Sequence, residues 1–366
     1  VAAVGDHCAR HGDATLVVTD PGIVDAGLTD PLVESLDAAG VDFEVFDGVR
    51  PDPTLTDALD CAAAAHETGA DSLVGVGGGS SMDVAKAAAA LSTGDSAEDV
   101  LGRGNVPAGA PPTVLVPTTA GTGSEVSQAA ILFDDRPDGT GEKAPILDDA
   151  ILSDTAVVDP DLSMHLPAAI TKATGVDAFA HAMGCYMSTE SNTFADALCV
   201  EAMELIETHL RDATYHGAEA PEAREKMALA ATMAMLGRVN GGKAATHSVA
   251  YGVQAMYDVP HAEAIAMVLP EVVAYNAPAA TAAFAHLGER LYGADGGTGE
   301  CAETLVAGVR RLRDDLGLDA TLRSVGAEEG DMEELAELAV HSERHLRANP
   351  RPLDAAGAET ILRRVL

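Results

Sequence analysis

The spacing of hydrophobic and polar positions changes character near residue 165. Before it, short apolar runs alternate with segments of helical periodicity. DATLVVTD (13–20) is a β-branched run ending in a turn, and VDFEVFDG (41–48) alternates as a strand does. LTDPLVESLDAAG (28–40) has helical spacing and stops at Gly40, and PDPTLTDALDCAAAAHETG (51–69) enters a helix through a Pro-rich cap. DSLVGVGGGS (71–80) is an apolar run ending in glycines, followed by the helical SMDVAKAAAALS. PTVLVPTTAGTGSE (112–125) is another apolar run with a turn behind it, and GRGNVPAGAPP (102–112) reads as a loop.

After about Leu166 the strand pattern ends. TKATGVDAFAHAM, NTFADALCVEAMELIETHL, PEAREKMALAATMAMLG, AETLVAGVRRLRDDLG and EEGDMEELAELAV all carry helical spacing. Alternating β and α segments predict a mostly parallel sheet with helices on both faces. The expected organisation is an α/β domain over 1–165 and an all-helical domain over 166–366, joined near VVDPDLSMHLPAA. A length of 366 residues suits two cores better than one.

Composition narrows the partners. Against 58 acidic residues stand 22 basic ones, of which five are Lys, giving a net charge of -36. Such a chain is repelled by nucleic acid and by anionic membrane surfaces. The acids are spread along the chain rather than gathered in a tail, a composition similar to that of proteins from a high-salt cytoplasm, where ions screen the self-repulsion. Nothing approaches the run of about eighteen apolar residues that spans a bilayer. Five cysteines without a C-x-x-C pair fit a reducing cytoplasm, and the start carries no secretion signal.

Two turns carry candidate binding chemistry. Gly77, Gly78 and Gly79, with Ser80, lie between a strand and a helix, where close backbone approach and free helix N–H groups suit a phosphate. Ser80, Ser81 and Asp83 equally suit a helix cap, and the spacing is not G-x-G-x-x-G. VPTTAGTGSE adds Thr118, Thr119 and Thr122 at the end of the next strand, where open α/β sheets bind nucleotides. Asp20, at the end of the first strand, can accept hydrogen bonds from a ribose or simply form a turn.

A second constellation lies in the helical half. Asp177 and His181 are four apart on one helical face, and His247 and His261 follow in THSVAYGVQAMYDVPH. An Asp/His pair alone suits a surface contact as well as a metal. With two further histidines on an apolar background, one carboxylate and three imidazoles suit a divalent metal, Fe²⁺ or Zn²⁺. Helical sequence runs from about Gly241 toward Met256, and Pro260 starts the next helix. His7, His11, His66, His209, His216 and His341 sit in polar or irregular surroundings and read as surface residues.

These motifs, with VTDPGIVDAGL, FDGVRPDPT, GADSLVGVGGGSSMDVAKA and VVDPDLSMHLP, resemble the iron-containing (group III) alcohol dehydrogenases from about Gly5 to the C-terminus. The resemblance implies a dehydroquinate synthase-like fold: a Rossmann-like cofactor domain, a helical metal domain, and a site in the cleft between them. It implies Asp177, His181, His247 and His261 as ligands of one metal. It also implies NAD(P) contacts at Asp20, Gly78, Gly79, Thr118, Thr122 and Lys143, with NAD favoured by Asp20. A homo-oligomer, dimer or larger, and a segment ahead of Val1 follow from the same likeness.

The chain departs from the family at three places. Tyr251 stands where many members carry a further His, as a candidate proton relay or a space-filling ring; its ordinary pKa near 10 makes it a poor base at neutral pH. Gly184-Cys185-Tyr186 replaces Glu-Ala-Tyr, and Pro260-His261-Ala262-Glu263 replaces Pro-His-Gly. The last run, with NPRP at 349–352, is similar to maleylacetate reductases, although the Asp those lack is present. The expected reaction is hydride transfer between a small alcohol or aldehyde and NAD(P). Alternatives are reduction of a carboxylated keto substrate and a dehydroquinate synthase-like lyase; scarce Lys and Asp177 in place of Glu count against the lyase.

Overall fold

The computed structural model describes residues 1–94, 96–136, 143–341 and 346–366. The described chain divides into two compact units, Val1–Met164 and His165–Leu366.

The first unit contains α1 (Val4–Cys8), β1 (Ala14–Val18), α2 (Pro21–Asp25), α3 (Asp30–Ala39), β2 (Asp42–Phe46), α4 (Leu55–Thr68), β3 (Ser72–Gly77), α5 (Gly79–Leu91), β4 (Gly102–Arg103), β5 (Thr113–Pro117), β6 (Ala129–Phe133), β7 (Lys143–Leu147) and β8 (Thr155–Ala156). Five strands form a parallel sheet in the order β2-β1-β3-β5-β8. The central strands SLVGVG and TVLVP are buried throughout, as strands covered on both faces must be. Their period of two splits the core. Leu16, Leu73 and Leu115 face α4 and α5, whereas Val17, Val74, Val76, Val114 and Val116 pack with Leu32 and Leu36 of α3. Each such side chain contributes roughly 1.5–3 kcal/mol by leaving water.

A second, three-stranded sheet in the order β4-β7-β6 departs from the expected organisation. Gly102–Arg103, read from sequence as part of a loop, pairs with β7, and β6 pairs antiparallel with β7. Pro145 and the short runs hid these strands, because neither carries enough alternation to register on its own.

The second unit is helical: α6 (Ala168–Tyr186), α7 (Thr193–Tyr215), α8 (Pro221–Gly241), α9 (Thr246–Tyr257), α10 (His261–Asn276), α11 (Thr281–Tyr292), α12 (Thr298–Asp315), α13 (Met332–Val340) and α14 (Ala355–Leu362). α6 is buried continuously from Gly175 to Cys185, so its two polar ligand candidates are carried into an apolar interior. Gly241 ends α8 rather than opening the His247 helix, and Gly242 turns the chain with φ 84° before α9 begins. Among the described residues, no helix is long and apolar enough to cross a membrane.

Candidate active site

α6 places Asp177 and His181 one turn apart on the same face, each only 4% exposed. α9 begins just before His247, ends at Asp258 in the left-handed region (φ 51°, ψ 38°), and Pro260 then caps α10, whose first residue is His261. Asp tolerates that left-handed position better than most residues. The turn sends the chain back on itself and brings His261 beside α9.

The result is a carboxylate ringed by imidazoles. From Asp177 Oδ1 the Nε2 atoms of His247, His181 and His261 lie at 3.3, 3.6 and 3.8 Å. The His181 and His247 rings stack at 4.8 Å with 6° between planes, and His261 is tilted against His247 at 5.6 Å. Ligand atoms of Asp177, His247 and His261 lie within 4.8 Å of one another, close enough to share one ion. Burial holds His181 well below its ordinary pKa, against the pull of Asp177, so its ring is neutral at physiological pH. Asp177 Oδ1 is buried and takes no hydrogen bond. A buried acceptor in that state costs about 1–3 kcal/mol, more when charged. A divalent cation among these atoms would remove that cost, so the residues fit one.

α9 presents more to this site than its histidine. Tyr251 and Gln254 follow His247 by four and seven residues and share its face. The Gln254 Oε1 accepts from His261 Nδ1 at 2.8 Å. An amide oxygen cannot donate, so this contact puts the proton on Nδ1 and leaves the His261 Nε2 lone pair aimed toward Asp177. Gln254 was not singled out from sequence, although the seven-residue spacing was there to be read. Tyr251 is half-buried beside it. None of His7, His11, His66, His209, His216 and His341 is buried.

In the first unit, the two turns meet. Gly78 caps α5 with no side-chain hydrogen bond, leaving the first-turn N–H groups without a side-chain acceptor. Gly77 has φ 149°, and a Cβ there would stand 2.5 Å from Ser81 Oγ. A Cβ on Gly79 would lie 3.0 Å from Thr122 Cγ2, and one on Gly78 would reach Thr119 at 3.7 Å. Thr118 Oγ1 is buried and takes part in no hydrogen bond. Asp20 caps α2 by accepting from Gly22 and Ile23, and its other oxygen accepts from Ser81 Oγ at 3.3 Å. Ser80 is half-buried in the first turn of α5.

Two candidates have other occupations. Asp83 accepts from Ser124 Oγ and from Ile131 N, and pairs with the wholly buried Lys86 at 3.1 Å. It braces the glycine turn against the threonine turn and is not the cap of α5. Lys143 opens β7 opposite Phe133, with Nζ 5.9 Å from that ring, and burial lowers its pKa.

An α/β unit with uncapped, close-packed turns and a helical unit with a buried Asp/His cluster are the parts of a metal-assisted oxidoreductase that uses a nucleotide cofactor. A family profile described as iron-containing alcohol dehydrogenase matches residues 1–160, and that of the C-terminal part of the Fe-containing alcohol dehydrogenase family matches 171–366. The chain is 33% identical over 356 residues to the NAD-dependent methanol dehydrogenase of Bacillus methanolicus, covering 96% of this chain and 92% of that one. It is 32% identical over 356 residues to the sulfoacetaldehyde reductase of Bilophila wadsworthia, covering 96% and 90%. Its fold matches the crystal structure of a 1,3-propanediol oxidoreductase with a TM-score of 0.95 at 33% identity, over 100% of this chain and 95% of that one. The chain belongs to the iron-containing alcohol dehydrogenase family and is an oxidoreductase that interconverts alcohols and their carbonyl products.

Proposed function

We propose that Asp177, His181, His247 and His261 hold one divalent metal, Fe²⁺ or Zn²⁺, and that a small alcohol or aldehyde reacts there with NAD. The observation that supports this most is the convergence of three imidazole nitrogens on a buried carboxylate oxygen that takes no hydrogen bond. When bound, the metal supplies Lewis-acid polarisation of the substrate oxygen and the nicotinamide supplies the hydride acceptor.

The chain's own residues prepare that chemistry. Asp177 provides the single negative charge of the set, and burial keeps the His181 ring neutral. Gln254 fixes the tautomer of His261. The Tyr251 hydroxyl, one turn beyond His247 on α9, would pass the alcohol proton outward. In the first unit, Gly77, Gly78, Gly79 and Ser80 offer N–H groups to the cofactor phosphates, with Thr118, Thr119, Thr122 and Lys143 as further contacts and Asp83 bracing them from behind. Asp20, 3.4 Å from where a Cβ of Gly77 would be, accepts from the ribose and repels a 2′-phosphate, which favours NAD over NADP. A homo-oligomer in a reducing cytoplasm completes the reading; five free, buried cysteines agree with the compartment.

The test is a panel of primary alcohols, diols, glycerol and oxo acids with NAD and with NADP, in high salt, before and after chelation. Turnover that is faster with NAD and disappears on chelation is expected. Metal-replete enzyme that turns over none of them would refute the proposal.

A further inference from the structure

Arg238 of α8 is a half-buried cation beside the ligand cluster. It follows Gly237, whose carbonyl accepts from Cys185 Sγ at 3.3 Å. Cys185 lies one turn beyond His181 and two beyond Asp177 on α6, so Arg238 stands next to the face that carries the metal ligands. The Asp177 carboxylate attracts the guanidinium, and the guanidinium in turn disfavours the charged form of His181. Yet among the described residues it makes no ion pair and donates no hydrogen bond. Two other arginines of this unit pair with carboxylates, Arg310 with Glu271 and Arg211 with Glu207 and Asp315, and the buried Arg224 donates to Thr171 and Leu166 although its Nε has no partner among the described residues. Among the described residues Arg238, half-buried, has neither kind of partner.

The local charge does not balance without a ligand. Three neutral imidazoles and one carboxylate around a divalent cation already leave a positive excess, and Arg238 adds to it. A neutral alcohol leaves that excess in place, whereas a substrate with its own anionic group cancels part of it. A guanidinium fork suits the paired oxygens of a carboxylate or sulfonate.

Resting on the dehydrogenase reading, we propose that Arg238 is a specificity residue that holds a carboxylate or sulfonate group at the far end of a small hydroxy or oxo substrate. The anionic group takes no part in the redox step. In oxidation, hydride leaves the carbinol carbon for NAD⁺ and the hydroxyl proton goes to solvent, giving the oxo compound, NADH and H⁺; reduction is the reverse.

The experiment compares matched pairs, 4-oxobutanoate against butanal and sulfoacetaldehyde against propanal, with NADH and metal-replete enzyme at fixed high salt. Wild type is expected to prefer the anionic member of at least one pair, and which pair distinguishes carboxylate from sulfonate. In Arg238→Met the anionic-to-neutral ratio of kcat/KM falls roughly 100-fold, the loss expected for a charge-assisted bidentate contact. Arg238→Lys keeps a point charge and retains part of the ratio. An unchanged ratio in Arg238→Met, or a wild type that prefers the neutral aldehydes, overturns the proposal. Calorimetric binding of succinate and ethanesulfonate to metal-loaded enzyme separates it from the dehydrogenase reading. Binding by wild type and not by Arg238→Met supports the site even if no aldehyde turns over, and equal binding or none by wild type sinks it.

Discussion

Replacing Gln254 with Leu removes one hydrogen bond and nearly nothing else. Leu keeps the helical propensity of the side chain and is one bond shorter, but offers His261 Nδ1 no acceptor in place of the 2.8 Å contact. The His261 side chain is 40% exposed and meets the His247 ring at a tilt, so packing holds its ring only in part. Without the amide oxygen the ring can rotate or take the other tautomer, which points a proton rather than a lone pair toward Asp177 Oδ1, 3.8 Å away. Loss of such an outer partner costs about 10–100-fold in metal affinity, or roughly 1.4–2.7 kcal/mol. Water can reach so exposed a ring and donate or accept in place of the amide, which places the expected loss near the lower bound, about tenfold. The assay is competition of the metal-free protein against a chelator of known affinity, with Zn²⁺ and with Co²⁺, whose visible spectrum also reports the ligand geometry. Gln254→Glu, which keeps an acceptor and adds charge, is expected to bind at least as tightly as wild type. The reasoning fails if Gln254→Leu binds within twofold of wild type, or if the Glu variant is as weak as the Leu variant.

Other outcomes follow from the same geometry. Asp177→Asn gives Nε2 lone pairs an N–H donor in place of a buried acceptor without a hydrogen bond. The metal-free variant should therefore be more stable than metal-free wild type by about 1–3 kcal/mol while binding metal far more weakly, and a lower melting temperature would contradict this. Gly79→Ala brings a Cβ to 3.0 Å from Thr122, so NADH titration should show weakened binding with little loss of fold. Gly77→Ala, at φ 149° and 2.5 Å from Ser81 Oγ, should destabilise the first unit by about 1–3 kcal/mol, read in a denaturant melt. Burial depresses the folded-state pKa of His181 below the unfolded value near 6.5. The unfolded chain therefore binds that proton first, so stability present above about pH 6.5 is lost as pH falls toward the folded value. Melting temperatures of the metal-free protein from neutral to acid pH should fall less steeply in His181→Gln than in wild type, and equal slopes would remove His181 from the account.

Much of the fold was written in local pattern. β3 and β5 are near-continuous apolar runs because both faces of the sheet are covered, and α6 declared its ligand pair through the four-residue spacing of Asp177 and His181. The second sheet was not legible. β4 is two residues inside a Gly/Pro-rich stretch, and β7 carries Pro145, so tertiary pairing rather than propensity makes them strands. Asp83 looked like a helix cap because caps are local, whereas its real partners, Ser124 and Ile131, are more than forty residues on. Arg238 carried no motif; only its place beside α6 and its lack of a partner mark it.

The central claim is that one metal ion, held by Asp177, His181, His247 and His261, is required for alcohol oxidation. Its most direct measurement is NAD reduction by the chelated enzyme in high salt as Fe²⁺ or Zn²⁺ is added back in known equivalents. Activity should rise linearly and level off at about one equivalent per chain, with no recovery in His247→Ala. Full activity in the thoroughly metal-free enzyme, or equal recovery in His247→Ala, would contradict the account.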